Sequence, residues 1–457
     1  MNRVHKKRLI NSYVFFCFLV ICVAVVIIPE NIRGMSGLAL VTFMINGIIM
    51  IFNLMKKSKL GYSSEDTFWI FMLFFMCLAP FVEVARWKFP WWNTNLITNK
   101  LIIQSNIYIL IFILIFIVTK KITTFKVEKN IKYIENLEII INISFYISLV
   151  ICIFIIYKTG FLNLLSRGTN NIQGIGQVTW LILNNSLSVF PIITILLNIN
   201  YKGIYGKYYS RSKFILILIL GIIVNFPTGI PRFKMAVIYL SIFVTFKNKF
   251  KNKYIFKIMV ILGLIYIFPL INIFRDNTFS NVINLQINMP DLNQQFITGN
   301  YDSYSMLVRS ILYIQDEGIT FGRQLLGNVL FFIPRSIWET KPIGSGAMIA
   351  KFFGWQFTNI SCPYIGEGLL NFGIVGIVIF AIILAILLKK STIKYEYVIM
   401  NKSRKIGVIE LIYPFSIGFV FFIMRGDLLS SLSYLIGFIV PVIFLYIIDR
   451  LLSIYSR

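Results

Sequence analysis

The chain has 457 residues, 58% of them hydrophobic and 14% charged, with a mean hydropathy of +0.80 and a net charge of +26. Soluble domains carry about 45–50% apolar and about 25% charged residues, so a soluble globular fold is excluded. The positive charge is spread over short joints between apolar runs. That pattern argues against nucleic acid as a partner and for membrane topology and anionic lipid as its cause.

Twelve apolar runs follow one another along the chain, and each reads as a helix crossing a membrane. A hydrocarbon core of about 30 Å needs roughly 20 apolar residues per crossing. The expected spans are Leu9–Ile28, Met35–Leu54, Thr67–Val82, Leu101–Thr119, Ile139–Tyr157, Trp180–Leu197 and Phe214–Phe226. They continue with Lys234–Phe246, Ile258–Ile273, Gly368–Leu388, Ile406–Met424 and Ser431–Ile448. The pair around Phe214–Phe246 is short, and its joint PTGIPRF is rich in helix breakers. Short or broken helices at membrane depth line a cavity rather than face lipid.

Lys and Arg gather on alternate joints: the start MNRVHKKR, KKSK at Lys56, KNKFKNK at Lys247 and KKSTIK at Lys389. The positive-inside rule then places both termini in the cytoplasm. Cys17, Cys22, Cys77 and Cys152 fall inside spans, Cys362 stands alone outside them, and the single histidine, His5, lies in the cytoplasmic tail. No disulfide framework, Cys- or His-based metal site or cofactor motif is visible. With no internal repeat or flexible linker, residues 1–457 read as a single all-α polytopic membrane domain.

Residues 275–367 break the pattern of short joints and form one large outer loop. Such a loop is functional or disordered, and this one is too apolar for disorder. Its segments MLVRSILYIQ and RQLLGNVLFFIPRSIW are too short to cross and suit lying on, or dipping into, the membrane. At 100° per residue, Asp302, Ser305, Arg309 and Asp316 share one face, opposite Leu307, Ile311 and Ile314. The stripe reads either as a solvated face with internal ion pairs or as a chemical feature, with Asp302 and Asp316 as candidate acids.

The loop cations are Arg275, Arg309, Arg323, Arg335, Lys341 and Lys351; Arg232, Lys234 and Arg425 lie at nearby outer ends, and Arg86, Lys88 and Arg167 in other outer joints. Outer arginines are not explained by the positive-inside rule. Individually each reads as a snorkelling anchor or a pocket residue; as a set they favour an anionic ligand, because the guanidinium fork captures phosphate with two bonds. Among outer acids, which include Glu83, Asp276, Asp291, Glu317 and Glu339, Glu367 stands out. It sits immediately before a span in YIGEGLLNFG, either as the base at the floor of an outer cavity or as a helix N-terminal acid. Trp87, Trp91, Trp92, Trp180, Trp338 and Trp355 all fall on the outer side, as an interfacial belt or as sugar-stacking surfaces.

The stretch FFIPRSIWETKPIGSGAMIAKFFG (Phe331–Gly354), followed by YIGEGLLNFGIVGIVIF (Tyr364–Phe380), resembles the bacterial oligosaccharide repeat-unit polymerases, the Wzy-type O-antigen and capsule polymerases. The IPR-x-x-W-x-x-KP core, the E-x-x-x-NFG-x-x-G that follows, the upstream FPTGIPRF and the large loop near the C-terminal third carry the likeness. It implies a multi-pass enzyme of the bacterial cytoplasmic membrane that moves a growing glycan from undecaprenyl diphosphate onto the non-reducing sugar of an incoming lipid-linked unit. On that likeness Arg335 and Lys341 are assigned to the diphosphate, Arg232, Arg309 and Arg425 to supporting cations, and Glu367 to the base, with no metal. The partners implied are undecaprenyl-diphosphate-linked oligosaccharide, membrane lipid, and a chain-length regulator and flippase of the same pathway. A flippase or exporter of the unit is the alternative, but it predicts two similar halves and short outer joints. An O-antigen-ligase-like transferase is the other, but it predicts an outer histidine.

Overall fold

A computed structural model describes residues 3–28, 30, 34–56, 59–125, 131–165, 185–246, 254–271, 291–401 and 404–455. Arg167, Trp180, Arg275 and Asp276 lie outside these. The described residues are helical, and their one β-bridge joins Tyr133 to Gly407. Among the described residues, nine helices are long and apolar enough to cross a membrane: α1 (Arg3–Ile27), α2 (Gly37–Leu54), α3 (Ser64–Arg86), α4 (Asn99–Ile122), α5 (Leu137–Thr159) and α6 (Asn185–Tyr205), then α13 (Tyr364–Met400), α14 (Val408–Arg425) and α15 (Leu428–Tyr455). The chain is therefore an integral membrane protein by the length and composition of its helices.

The other three expected spans correspond to shorter helices: α7 (Arg211–Val224), α8 (Arg232–Thr245) and α9 (Ile255–Leu270). At 1.5 Å per residue they reach about 21, 21 and 24 Å, short of a full hydrocarbon core. The large loop contributes α10 (Ser303–Glu317), α11 (Arg323–Val329) and α12 (Ser345–Phe352).

α14 sits at the centre, and its periodicity shows why. Tyr413, Ile417, Val420 and Met424 recur at helical spacing on one face and join a core built from α1–α4, α9, α10 and α13. Leu411, Phe415 and Phe419 occupy another face and join a second core with α5–α8 and α15. Against α8 the approach is closest at Gly418, where a Cβ would lie 2.5 Å from the Cα of Val237, so only glycine fits. Leu114, Val118, Ile383, Leu387, Val440 and Ile447 stay exposed on the periphery, an apolar surface suited to lipid.

Interruptions in α3 and α13 shape the region of the large loop. α3 carries a π-helical turn at Phe74–Leu78 before Pro80, which has no N–H to donate. α13 breaks at Phe372–Gly373, where Gly373 takes φ 63°, cutting off a short first half that holds Glu367. The carbonyls freed there accept from the backbone of the loop: Leu370 O from Thr320 N at 2.8 Å and Asn371 O from Gly322 N at 3.2 Å.

α10 differs from the expected surface helix. Ser303 to Ile311 are all buried, and of the polar stripe Asp302 and Arg309 are each 1% exposed, while Asp316 lies at the surface. The helix packs between α4, α12 and α13, so the solvated-face reading fails for Asp302, Ser305 and Arg309, whose polar partners lie within the protein, and holds for Asp316. The segment RQLLGNVLFFIPRSIW is helical only to Val329 and continues as turns.

Candidate functional site

A cavity of about 1130 Å³ lies between α8, α9 and α14. Along most of its length the walls are apolar: Met235, Tyr239 and Phe243 on α8, Met259, Leu264 and Phe268 on α9, and Phe421 and Phe422 on α14. Polar side chains gather at one end, where Arg232, Arg425, Asn300, Asp302, Ser361 and Asp427 meet.

That end is organised around the turn Thr298–Asp302. Arg425, in the last turn of α14, donates from Nε to Asn300 O at 3.1 Å and from Nη2 to Gly299 O at 2.7 Å and Asp302 Oδ1 at 3.1 Å. Arg232, the first residue of α8, donates from Nη1 to Asn300 Oδ1 at 2.9 Å and lies 4.4 Å over the Phe268 ring. A single residue, Asn300, thus bridges two guanidinium groups. Asp302 is held from three sides, by Arg425, by Ser361 Oγ at 2.8 Å and by Trp91 Nε1 at 3.0 Å. Two cations and two carboxylates, Asp302 and Asp427, therefore share this end of the cavity.

Asp427 is the other carboxylate on the cavity wall. It precedes α15 and accepts from Ser430 N at 3.2 Å as a helix cap. It also accepts from Gly346 N at 3.2 Å, which docks the GSG turn beneath it. Burial lifts its carboxyl above the ordinary aspartate value.

Of the residues singled out from sequence, the structure brings Arg232, Arg425 and Asp302 together and sets the others apart. Glu367 is fully buried behind Asp427, accepting from Ser345 Oγ at 2.8 Å and from Leu428 N at 3.0 Å. It ties α13 to α12 and α15 and is not among the residues lining the cavity. Arg335 donates to Lys341 O at 2.7 Å and Pro342 O at 3.2 Å, and Lys341 Nζ donates to Ile333 O at 2.9 Å. Together they close the 331–342 turn away from the cavity wall. Burial, with Arg335 beside it, lowers the pKa of Lys341.

Arg309 lies behind the site. It donates to Trp92 O at 2.7 Å and Ser305 O at 3.1 Å and stands 5.2 Å over the Trp355 ring; burial lowers its pKa to about 10. Asp316 is exposed at the far end of α10. Asp427, Asn300, Ser361 and the cavity position of Trp91 were missed. The signals available were thin: an R-G-D sequence at a joint and the turn signature T-G-N-Y-D. No family model, curated protein or solved structure matches the chain at a significant level.

Proposed function

We propose that the chain polymerises lipid-linked oligosaccharide repeat units at the outer face of the bacterial cytoplasmic membrane. The observation that carries this reading is the cavity itself, a long apolar groove closed at one end by Arg232 and Arg425. Its form matches an amphiphile with a long hydrocarbon tail and a compact anionic head, as in undecaprenyl diphosphate.

In this reading the tail lies between α8 and α9, and the diphosphate meets Arg232 and Arg425 in place of Arg335, Lys341 and Arg309. The bond from the anomeric carbon of the growing glycan to the diphosphate breaks, and undecaprenyl diphosphate leaves with both electrons of that bond. An acceptor hydroxyl of the incoming unit forms the new glycosidic bond and gives up its proton. Asp302 takes that proton in place of Glu367, because it is at the cavity wall beside Arg425. Preorganised donors aimed at charge on the leaving group are the largest expected contribution.

The proposed topology has twelve passes, with α7, α8 and α9 as the short ones, both termini in the cytoplasm and residues 275–367 outside. Short helices suit walls that enclose a ligand rather than face lipid. A flippase would need polar lining along the whole path of the head group. Among the described residues, the far end of the groove is lined by Phe246, Phe256, Ile70 and Thr67, without a charged side chain.

The test is a deletion strain. Loss of the polymerase leaves single repeat units on the surface or on the lipid carrier at the outer leaflet. Loss of a flippase traps them on the inner leaflet, and that result would sink the proposal.

A further inference from the structure

The joint between α3 and α4 presents Trp91 to the polar end of the cavity, where its ring stacks on Phe357 with centroids 5.6 Å apart and planes at 23°. Trp91 has φ 71°, a conformation that a bulky aromatic residue adopts only when its surroundings enforce it. The enforcing contacts are visible. Ser305 Oγ donates to Pro90 O at 3.2 Å, Arg309 Nη2 donates to Trp92 O at 2.7 Å, and Trp355 Nε1 donates to Asn93 Oδ1 at 2.6 Å. The indole also lies against Gly299, where a Cβ would be 2.8 Å from its Cζ2.

An interfacial-belt tryptophan points its ring toward lipid head groups. Trp91 instead lines an internal cavity and spends its N–H on the buried carboxylate of Asp302 at 3.0 Å. We infer that Trp91 and Phe357 form a stacking platform for one pyranose ring of the saccharide carried by the lipid diphosphate. This rests on the lipid-diphosphate reading above and assigns the sugar end of that substrate.

The chemistry follows from the shape of a pyranose, which has an apolar C–H face and a rim of hydroxyls. The platform supplies an aromatic surface for the face. Asp302, Asn359 and Ser361 line the same end and supply polar groups for the rim. Arg425 grips Gly299 O, the residue under the indole, so the platform adjoins the cationic end where the sugar–phosphate bond would lie. Arg309 is then a positioning residue for the platform rather than a phosphate ligand.

The test measures affinity of the purified full-length protein for undecaprenyl diphosphate and for its glucose, galactose and N-acetylglucosamine glycosides. In the wild type at least one glycoside binds more tightly than the plain lipid. In Trp91→Leu that ratio falls by about tenfold, the scale of one desolvated aromatic anchor. Trp91→Phe keeps most of the ratio, because it retains a ring, and it guards against a folding defect in the leucine variant. If no glycoside outbinds the plain lipid, or if Trp91→Leu leaves the ratio unchanged, the platform is refuted while the lipid-diphosphate reading stands. If plain undecaprenyl diphosphate does not bind the wild type, that reading fails and the platform falls with it.

Discussion

Arg425 and Asp302 are 123 residues apart in the chain and meet at 3.1 Å, with 24% of the arginine side chain and 1% of the aspartate side chain exposed. The contact joins the end of α14 to the start of α10, so a span and the large loop share one electrostatic site. The arginine is the more accessible partner and lines the cavity, while Nε and Nη2 hold Asn300 O and Gly299 O. A buried carboxylate whose cation can be shared with an incoming anion makes the pair sensitive to what enters the cavity.

Arg425→Lys keeps the charge but cannot reach Asn300 O, Gly299 O and Asp302 at once, because one ammonium replaces a planar fork. Hydrogen bonds to charged groups are worth about 1.5–3 kcal/mol, so polymer synthesis should fall roughly 10- to 100-fold. Protein level in the membrane should be unchanged. In vitro chain-length analysis checks this; full activity in the lysine variant would reduce Arg425 to a point charge.

Asp302→Asn and Glu367→Gln should separate chemistry from architecture. Asp302→Asn preserves size but removes the proposed base, and general-base assistance is worth about 10²–10⁴-fold. Glu367→Gln instead places an amide among donors, facing Leu428 N or Ser345 Oγ, and should cost about 1–3 kcal/mol of stability. Turnover per folded molecule should then stay near the wild-type value. A catalytic collapse in Glu367→Gln with unchanged thermal stability would return the base role to Glu367.

The nine long apolar helices were legible because hydropathy alone marks a helix that faces lipid, as in α4 or α15. The stripe of α10 was misleading for a physical reason: Asp302, Ser305 and Arg309 have the same spacing whether they meet water or a buried network of Trp91, Trp92 and Arg425. Glu367 drew attention as an acid before a span, yet the two-residue joint Gly426–Asp427 between α14 and α15 places Asp427 in front of it. The break at Phe372–Gly373 depends on loop backbone arriving from Thr320 and Gly322, which no local pattern announces.

Arg335→Ala should loosen the turn 331–342 without touching the proposed lipid site. Among the described residues its guanidinium donates to the carbonyls of Lys341 and Pro342, each bond worth about 1 kcal/mol or somewhat more. Limited proteolysis should show faster cleavage within that turn, while affinity for undecaprenyl diphosphate is kept. A loss of affinity matching that of Arg425→Lys would place Arg335 in the lipid site instead.

Lys257 and Asp66 form a buried ion pair at 2.7 Å that fastens the start of α9 to α3, with Lys257 Nζ also donating to Leu54 O at 2.8 Å. Removing one partner strands a charge, at a cost of about 3–5 kcal/mol. Lys257→Met should therefore lower the melting temperature in detergent strongly. Adding Asp66→Asn should cost less than it does alone, because the stranded charge is gone. Strict additivity of the two losses would show that the pair is not coupled.

The last prediction concerns which joints share a side of the membrane. Trp91 follows α3, Arg232 opens α8, Asp302 follows α9, and Asp427 separates α14 from α15, yet all four line the same end of one cavity. From Trp91 to Arg232 the chain runs through α4, α5, α6 and α7, so a return to the same side requires α7 to cross with the other three. From Arg232, α8 descends to the end of the groove lined by Phe246. α9 starts beside Leu54 at the end of α2, one span away from Trp91, and climbs back. Counting outward in the proposed topology, three spans separate Arg3 from Trp91 and one separates Asp427 from Tyr455, which puts Arg3 and Tyr455 opposite the polar end. In a background with Cys17 and Cys22 replaced by alanine, Leu96→Cys and Asp316→Cys should react with a membrane-impermeant maleimide on intact spheroplasts. Lys207→Cys and Lys405→Cys should react only after permeabilisation. An Asp316→Cys that labels from the same side as Lys207→Cys would mean that an even number of α7, α8 and α9 cross, and the twelve-pass topology would be lost with the outer placement of the site.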